Sequence, residues 1–203
     1  KEKFSKNHLI ILGINNFSKQ DGNSDGKYFN SLVVLNNELQ ILSVYNKVNL
    51  VPFGEFLPLE NVLSKFGFTR VITDYNSFSP GDKRKLINLG AKFNDKLFLP
   101  LICYEIIYSG KIKNKNQFPD LIVNISEDAW FGQSIGPYQH FTKAVYRSVE
   151  EGVHIARSAN RGISAFISPN GKIIKSLHTR ESGNIELNFP NFLRSTLFSK
   201  YGN

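Results

Sequence analysis

The sequence predicts an α/β layered domain, on three observations. Short apolar stretches with strand character recur along the chain, one segment has clear helical periodicity, and no heptad or longer repeat is present. Several of the apolar stretches are nearly continuous in Val, Ile, Leu and Phe, the pattern of strands buried on both faces.

In chain order the strand expectations fall at residues 8–14, 28–35, 39–45, 97–102, 121–125, 153–158, 163–168 and 173–177. A Gly, Asn, Asp and Ser cluster between Gln20 and Lys27 marks a turn, and Pro169-Asn170-Gly171 marks a tight hairpin. Residues 137–151 form the helix: Phe141, Ala144, Val145, Ser148 and Val149 recur at i, i+3, i+4, i+7 and i+8 on one face, which reads as core. Pro137 suits its first turn and Gly152 its C-terminal cap. A weaker helix is expected over 83–89, and the polar stretch 111–117 reads as a surface loop.

A chain of 203 residues, 41% hydrophobic and 21% charged, is long enough to bury one sizeable core, and no internal domain boundary stands out. The net charge of +8 comes from Lys residues dispersed among Asn, Ile and Phe, not from a basic tract, so no nucleic-acid partner is expected. The bland source of that charge is a solvated surface; attraction to anionic lipid headgroups is the other. One cysteine excludes a disulfide framework, and with four scattered histidines it offers no metal-ligand cluster. There is no signal peptide and no apolar run of membrane-spanning length. The chain opens on Lys1 and contains no Met, so it is expected to be a piece of something longer.

Chemistry concentrates at two places. Residues 97–102 lead as a buried strand into Cys103, followed by Tyr104 and Glu105. A cysteine at the tip of a central strand holds its sulfur at the sheet edge where α/β proteins bind substrates, whereas a lone cysteine is more often structural. Upstream, Lys47 ends a strand and is followed by Leu50-Val51-Pro52-Phe53-Gly54-Glu55. A lysine there is ordinarily a surface residue, but an ammonium beside a thiol lowers its pKa and can stabilise an oxyanion.

The Lys47 segment, Ile102-Cys103-Tyr104-Glu105 and Asn124-Ile125-Ser126-Glu127-Asp128-Ala129-Trp130-Phe131-Gly132 occur in the order found in the nitrilase superfamily, which uses a Glu, Lys and Cys triad. Within it the chain resembles the soluble domain of the bacterial apolipoprotein N-acyltransferases. That likeness rests on the Leu50 to Glu55 motif, on Asp128-Ala129-Trp130-Phe131-Gly132, and on Gly136-Pro137-Tyr138-Gln139-His140 leading to Arg157, Asn160, Gly162, Ile163 and Ser164. Each motif alone is weak; their joint order and spacing are specific. The likeness covers nearly the whole chain. It implies a partial carbon–nitrogen hydrolase (nitrilase-like) domain over residues 1–203, with an α-β-β-α sandwich truncated at its N-terminal side.

The resemblance also implies a reaction. The Cys103 thiolate attacks an acyl ester carbonyl of a phospholipid, while Lys47 and a backbone N–H such as that of Tyr104 hold the oxyanion. The acyl chain of the resulting thioester passes to the α-amino group of a diacylglyceryl-modified lipoprotein cysteine. Glu55, Tyr104 and Glu105 match supporting positions, and no cofactor or metal is implied. The setting is a membrane surface, the periplasmic face of the bacterial inner membrane. Glu55 reads equally as an exposed loop carboxylate. Trp130 and Phe131 line an acyl pocket or fill the core, with core packing favoured. His140 and His154 receive no catalytic role.

The chain departs from the family in three respects. The superfamily's general-base Glu lies in a Pro-Glu setting upstream of the Lys, and no Pro-Glu occurs here. The transmembrane helices of the acyltransferases are absent, and Ser126-Glu127 stands where relatives more often carry a Thr or Asn pair. Without the base, the isolated chain is expected to be inactive. The other classes carried are a soluble nitrilase-like amidase, against which the Leu50 to Glu55 and Asp128 to Gly132 motifs argue, and a non-catalytic remnant.

Overall fold

The computed structural model describes residues 5–19, 26–59, 65, 77–110, 112, 118–188 and 196–202. These fall into two compact units, residues 1–83 and 84–203, where the sequence reading drew no boundary. The 20–27 turn lies mostly outside the described residues, as does the 111–117 loop, of which only Ile112 is described and is buried.

The first unit is a three-stranded antiparallel sheet, β1 (Ile10–Ser18), β2 (Lys27–Leu35) and β3 (Ile41–Asn46), with β2 central. β1 runs past its apolar half through Asn15 and Asn16 because all nine of its residues pair with β2. β3 starts two residues later than expected. The Asn36 side-chain oxygen accepts from the Glu38 and Gln40 N–H groups, and Leu39 sits at φ 65°, so that stretch is a turn. Leu32, Val33 and Val34 of β2 and Tyr45 of β3 are buried.

The second unit is a six-stranded mixed sheet in the order β4 (Ile87–Asn88), β5 (Leu97–Ile102), β6 (Leu121–Glu127), β7 (His154–Asn160), β8 (Ser164–Ile167) and β9 (Ile173–Leu177). β5, β6 and β7 run parallel, so their C-terminal ends share one sheet edge. The Pro169-Asn170-Gly171 hairpin joins β8 to β9 as expected. The expected helix at 83–89 is not formed. Of its residues only Ile87 and Asn88 take regular structure, pairing antiparallel with Phe98 and Leu97, a contact that outweighs weak local helix preference.

Helix α1 spans Gly136–Glu151, and Gly152 caps it at φ 68°, a left-handed position that suits glycine. A short helix, α2 (Leu197–Tyr201), follows the strands. The face α1 buries differs from the apolar stripe. Phe141, Ala144 and Ser148 are inside as expected, but Val149 is exposed, and His140, Arg147 and Glu151 are buried instead. A count of apolar positions misses polar groups that are buried because they are paired. Phe141 and Ala144 pack on Leu101, Ile122, Ile155 and Ile167 of the sheet, each burial contributing about 1.5–3 kcal/mol per large aliphatic side chain.

His154, at the start of β7, is only 4% exposed, and burial holds its imidazole pKa below the ordinary value of 6.5. The ring is therefore neutral when folded, and the unfolded chain takes up the proton first as the pH falls. The stability this site contributes is complete above pH 6.5 and is lost as pH falls through 6.5 toward the depressed folded value. Unfolding midpoints should thus fall between about pH 7 and about pH 5, and His154→Leu should flatten that slope. An identical slope in the variant would remove His154 from the account.

Candidate active site

The candidate residues fall in two separate clusters, one in each unit, and each is described by itself. In the first, Lys47 follows β3 and its N–H donates to the Asn30 carbonyl at 2.8 Å. Its side chain is buried, at 1% exposure, contrary to the ordinary expectation of a surface lysine. Lys47 Nζ donates to Glu55 Oε2 at 2.7 Å. Glu55 also accepts from Asn30 Nδ2 at 2.7 Å on Oε1 and from the Val51 N–H at 2.8 Å on Oε2. The Glu55 N–H donates back to the Val51 carbonyl, closing the Val51–Glu55 turn. With donors on both oxygens the carboxylate can stay buried, so Glu55 is not an exposed loop carboxylate.

In the second unit Cys103, Tyr104 and Glu105 form the start of a 3-10 turn, Cys103–Ile107, directly after β5. Cys103 is partly exposed and lies at φ 49°, a left-handed conformation costing a residue with a Cβ about 1–2 kcal/mol. Glu105 is fully buried; its Oε2 accepts from the Ile102 N–H at 2.9 Å, and Arg84 Nε lies 3.9 Å from its other oxygen. Glu105 thus ties the turn to the last residue of β5. Tyr104 is exposed at 36%, its ring edge-on to Tyr108 at 5.8 Å.

A second set of polar groups meets Cys103 from behind. His140 of α1 places Nε2 3.2 Å from the Cys103 carbonyl oxygen and Nδ1 2.9 Å from Asp128 Oδ1. Arg157 of β7 donates from Nη2 to Asp128 Oδ2 at 2.7 Å and from Nη1 to Asn124 Oδ1. Asn124 Nδ2 in turn donates to the Leu101 carbonyl at 3.1 Å, and Ser126 Oγ donates to Asp128 Oδ1 at 2.6 Å. Burial works against Asp128 ionisation, but the His140 hydrogen bond, the Arg157 charge and Ser126 together outweigh it and hold the carboxyl below the usual range. Burial also pulls Arg157 down, while Asp128 and Cys103 push it back. Gly162 is required by close approach: a Cβ there would fall on the Asp128 carboxyl, within 2.8 Å of the Asp128 Cβ.

Sequence reasoning set His140 aside and read Asp128 and Arg157 only as motif letters. The available signal was position: His140 directly precedes Phe141 on the buried face of the helix, and Asp128 directly follows β6. Trp130 is 55% exposed, which corrects its assignment to the core; it sits on the 3-10 turn Asp128–Phe131 beyond the end of β6, where only Asp128 points inward.

The carbon–nitrogen hydrolase family model matches residues 5–189, across both units. The chain belongs to the carbon–nitrogen hydrolase family. Among curated relatives of the chain, the apolipoprotein N-acyltransferase of Rickettsia prowazekii is 38% identical over 200 residues, covering 98% of this chain and 39% of that protein. The protein of the same name from Rhizobium leguminosarum bv. trifolii is 38% identical over 186 residues, covering 92% and 34%. The chain thus spans about a third of the length of the curated relatives it matches. In fold the chain resembles the amidase from Nesterenkonia sp. AN1, in a form showing covalent addition of the acetamide moiety of fluoroacetamide at its active site cysteine. The TM-score is 0.56 at 15% identity, with 84% of this chain and 57% of that one covered. A second structure of that amidase, described as of the nitrilase superfamily, has TM-score 0.56 at 14% identity, covering 84% and 58%. The expected nitrilase-like α/β fold is borne out.

Proposed function

We propose that this chain is the catalytic portion of an apolipoprotein N-acyltransferase, with Cys103 as its nucleophile. The observation that carries the reading is the 38% identity to the Rickettsia acyltransferase over nearly the whole chain. The local geometry supports it. A thiol on a left-handed turn at the C-terminal end of a buried parallel strand is presented at the edge where α/β sheets bind substrates.

In the first half-reaction Cys103 Sγ bonds to the ester carbonyl carbon of a phospholipid, and the lysophospholipid alkoxide leaves and is protonated. In the second the α-amino nitrogen of the lipoprotein cysteine attacks the thioester, loses a proton and releases the thiol, leaving an amide. Backbone N–H groups at the start of the 3-10 turn after Cys103 are the oxyanion donors on its own unit. The family pattern assigns Lys47 the cationic role, and Glu55, held by Asn30 and Val51, fixes the ammonium. Glu105 and Tyr104 shape the turn that carries the thiol. The reaction belongs at the periplasmic face of the inner membrane, although among the described residues no helix is long and apolar enough to cross a membrane.

The test supplies the intact protein with phospholipid labelled in one acyl chain, together with a diacylglyceryl-cysteine peptide, and in parallel with simple amides. Label is expected on the peptide amine. Ammonia release from amides without acyl transfer would replace the reading with an amidase, and silence in both assays on folded protein would replace it with a non-catalytic remnant.

A further inference from the structure

Cys103 is held in an unfavourable backbone conformation by something beyond its own strand. The β5–β6 ladder ends at Ile102 opposite Ile125, so the Cys103 carbonyl lies past the last ladder pair. His140 meets that carbonyl with Nε2 at 3.2 Å. A carbonyl oxygen only accepts, so Nε2 carries a hydrogen in this contact, and the hydrogen bond to the Asp128 carboxylate needs one on Nδ1 as well.

The other side of the ring is fixed as well. Nδ1 lies 2.9 Å from Asp128 Oδ1 and 3.2 Å from Arg157 Nη2. Arg157 is placed by Asp128 and Asn124, and Asn124 returns to the Leu101 carbonyl. The polar chain therefore touches the nucleophile strand twice, at Leu101 and at Cys103, and closes on itself. His140, Asp128, Arg157 and Asn124 are all at most 4% exposed, so water competes little for these bonds.

We propose that His140 is a positioning residue for Cys103: held by Asp128 and Arg157, it donates from Nε2 to the Cys103 carbonyl and so maintains the left-handed turn that presents the thiol. This rests on the reading of Cys103 as nucleophile. The chemistry of the acyl transfer passes through sulfur and never through the imidazole. What His140 sets is where the sulfur stands, and a misplacement of about 1 Å can cost about 10²-fold in rate.

Two substitutions separate this role from general support of the fold. His140→Asn keeps an amide on the Asp128 side but is too short to reach the Cys103 carbonyl; His140→Gln extends an N–H to it. In the intact protein His140→Asn should lower the single-turnover acylation rate by about 10²-fold with KM changed less than about twofold, and His140→Gln should recover most of that loss. Alkylation of Cys103 by iodoacetamide, followed on the peptide that carries Cys103, should slow in the same order. A His140→Asn protein that acylates at the wild-type rate, or a His140→Gln protein no faster than Asn, overturns the proposal. Should His140→Asn fail to fold, nitrogen NMR of the unmutated protein decides: alkylating Cys103 should shift the His140 Nε2 resonance, and an unmoved resonance overturns it. A Cys103→Ala control separates the two readings. If it still transfers acyl groups, the nucleophile assignment fails and this proposal with it; if it is inactive while His140→Asn is normal, only the positioning role fails.

Discussion

In the intact protein, the Cys103→Ala variant, incubated with phospholipid labelled in one acyl chain and quenched, should carry no hydroxylamine-labile label, whereas the intact parent should carry it on Cys103. The expected loss is the largest available, since deleting a nucleophile from a catalytic constellation lowers turnover on the order of 10⁶-fold. Alanine is a clean substitution at this position. It keeps the Cβ, so the left-handed strain at φ 49° is unchanged, and Cys103 is partly exposed, so removing its sulfur opens no deep cavity. Loss of label therefore reports chemistry and not unfolding. Label on the Ala protein at the parent level would end the assignment.

The second large effect is expected at Lys47. Lys47→Met retains the length and most of the volume but removes the charge, and loss of one oxyanion-stabilising group typically lowers kcat by about 10²–10³-fold. Burial complicates the experiment in a definite way. The Met variant leaves Glu55 buried without its ammonium partner, and breaking a buried pair from one side costs about 3–5 kcal/mol. The informative comparison adds Glu55→Gln, which removes the stranded charge and keeps one carbonyl oxygen to accept from either Asn30 or the Val51 N–H, which on Glu55 use different oxygens. The double variant should regain most of the unfolding midpoint and none of the activity. Near-normal turnover in folded Lys47→Met would reduce the lysine to a structural partner of Glu55.

Much of the fold was legible in the residues. Continuous runs such as 97–102 suit strands buried on both faces of a sheet, because six residues bounded by polar chain are too short for a typical helix. Edges were less legible. The 83–89 segment carries Lys and Leu residues that suit a helix, and the strand at Ile87 and Asn88 instead comes from pairing with β5, which a reading of residue preference alone does not register. Trp130 was assigned to the core on its size alone, but the turn that buries Asp128 turns the indole outward.

The candidate site divides in the same way. Residue identity and order along the chain were enough to mark Cys103, Lys47, Glu55, Tyr104 and Glu105, because side-chain chemistry and motif spacing are properties of the chain itself. That Lys47 and Glu55 form a buried pair, that Cys103 occupies a left-handed turn, and that His140, Asp128, Arg157 and Asn124 close a ring behind it were decided only in three dimensions. Hydrogen bonds between residues 33 or 37 positions apart, such as Arg157 with Asn124 and His140 with Cys103, depend on strand register and on which helix face is buried. Burial also reverses the usual meaning of a charged residue: in water Asp128 and Arg157 would be unremarked surface groups, and inside the fold each is confined to the partners that neutralise it.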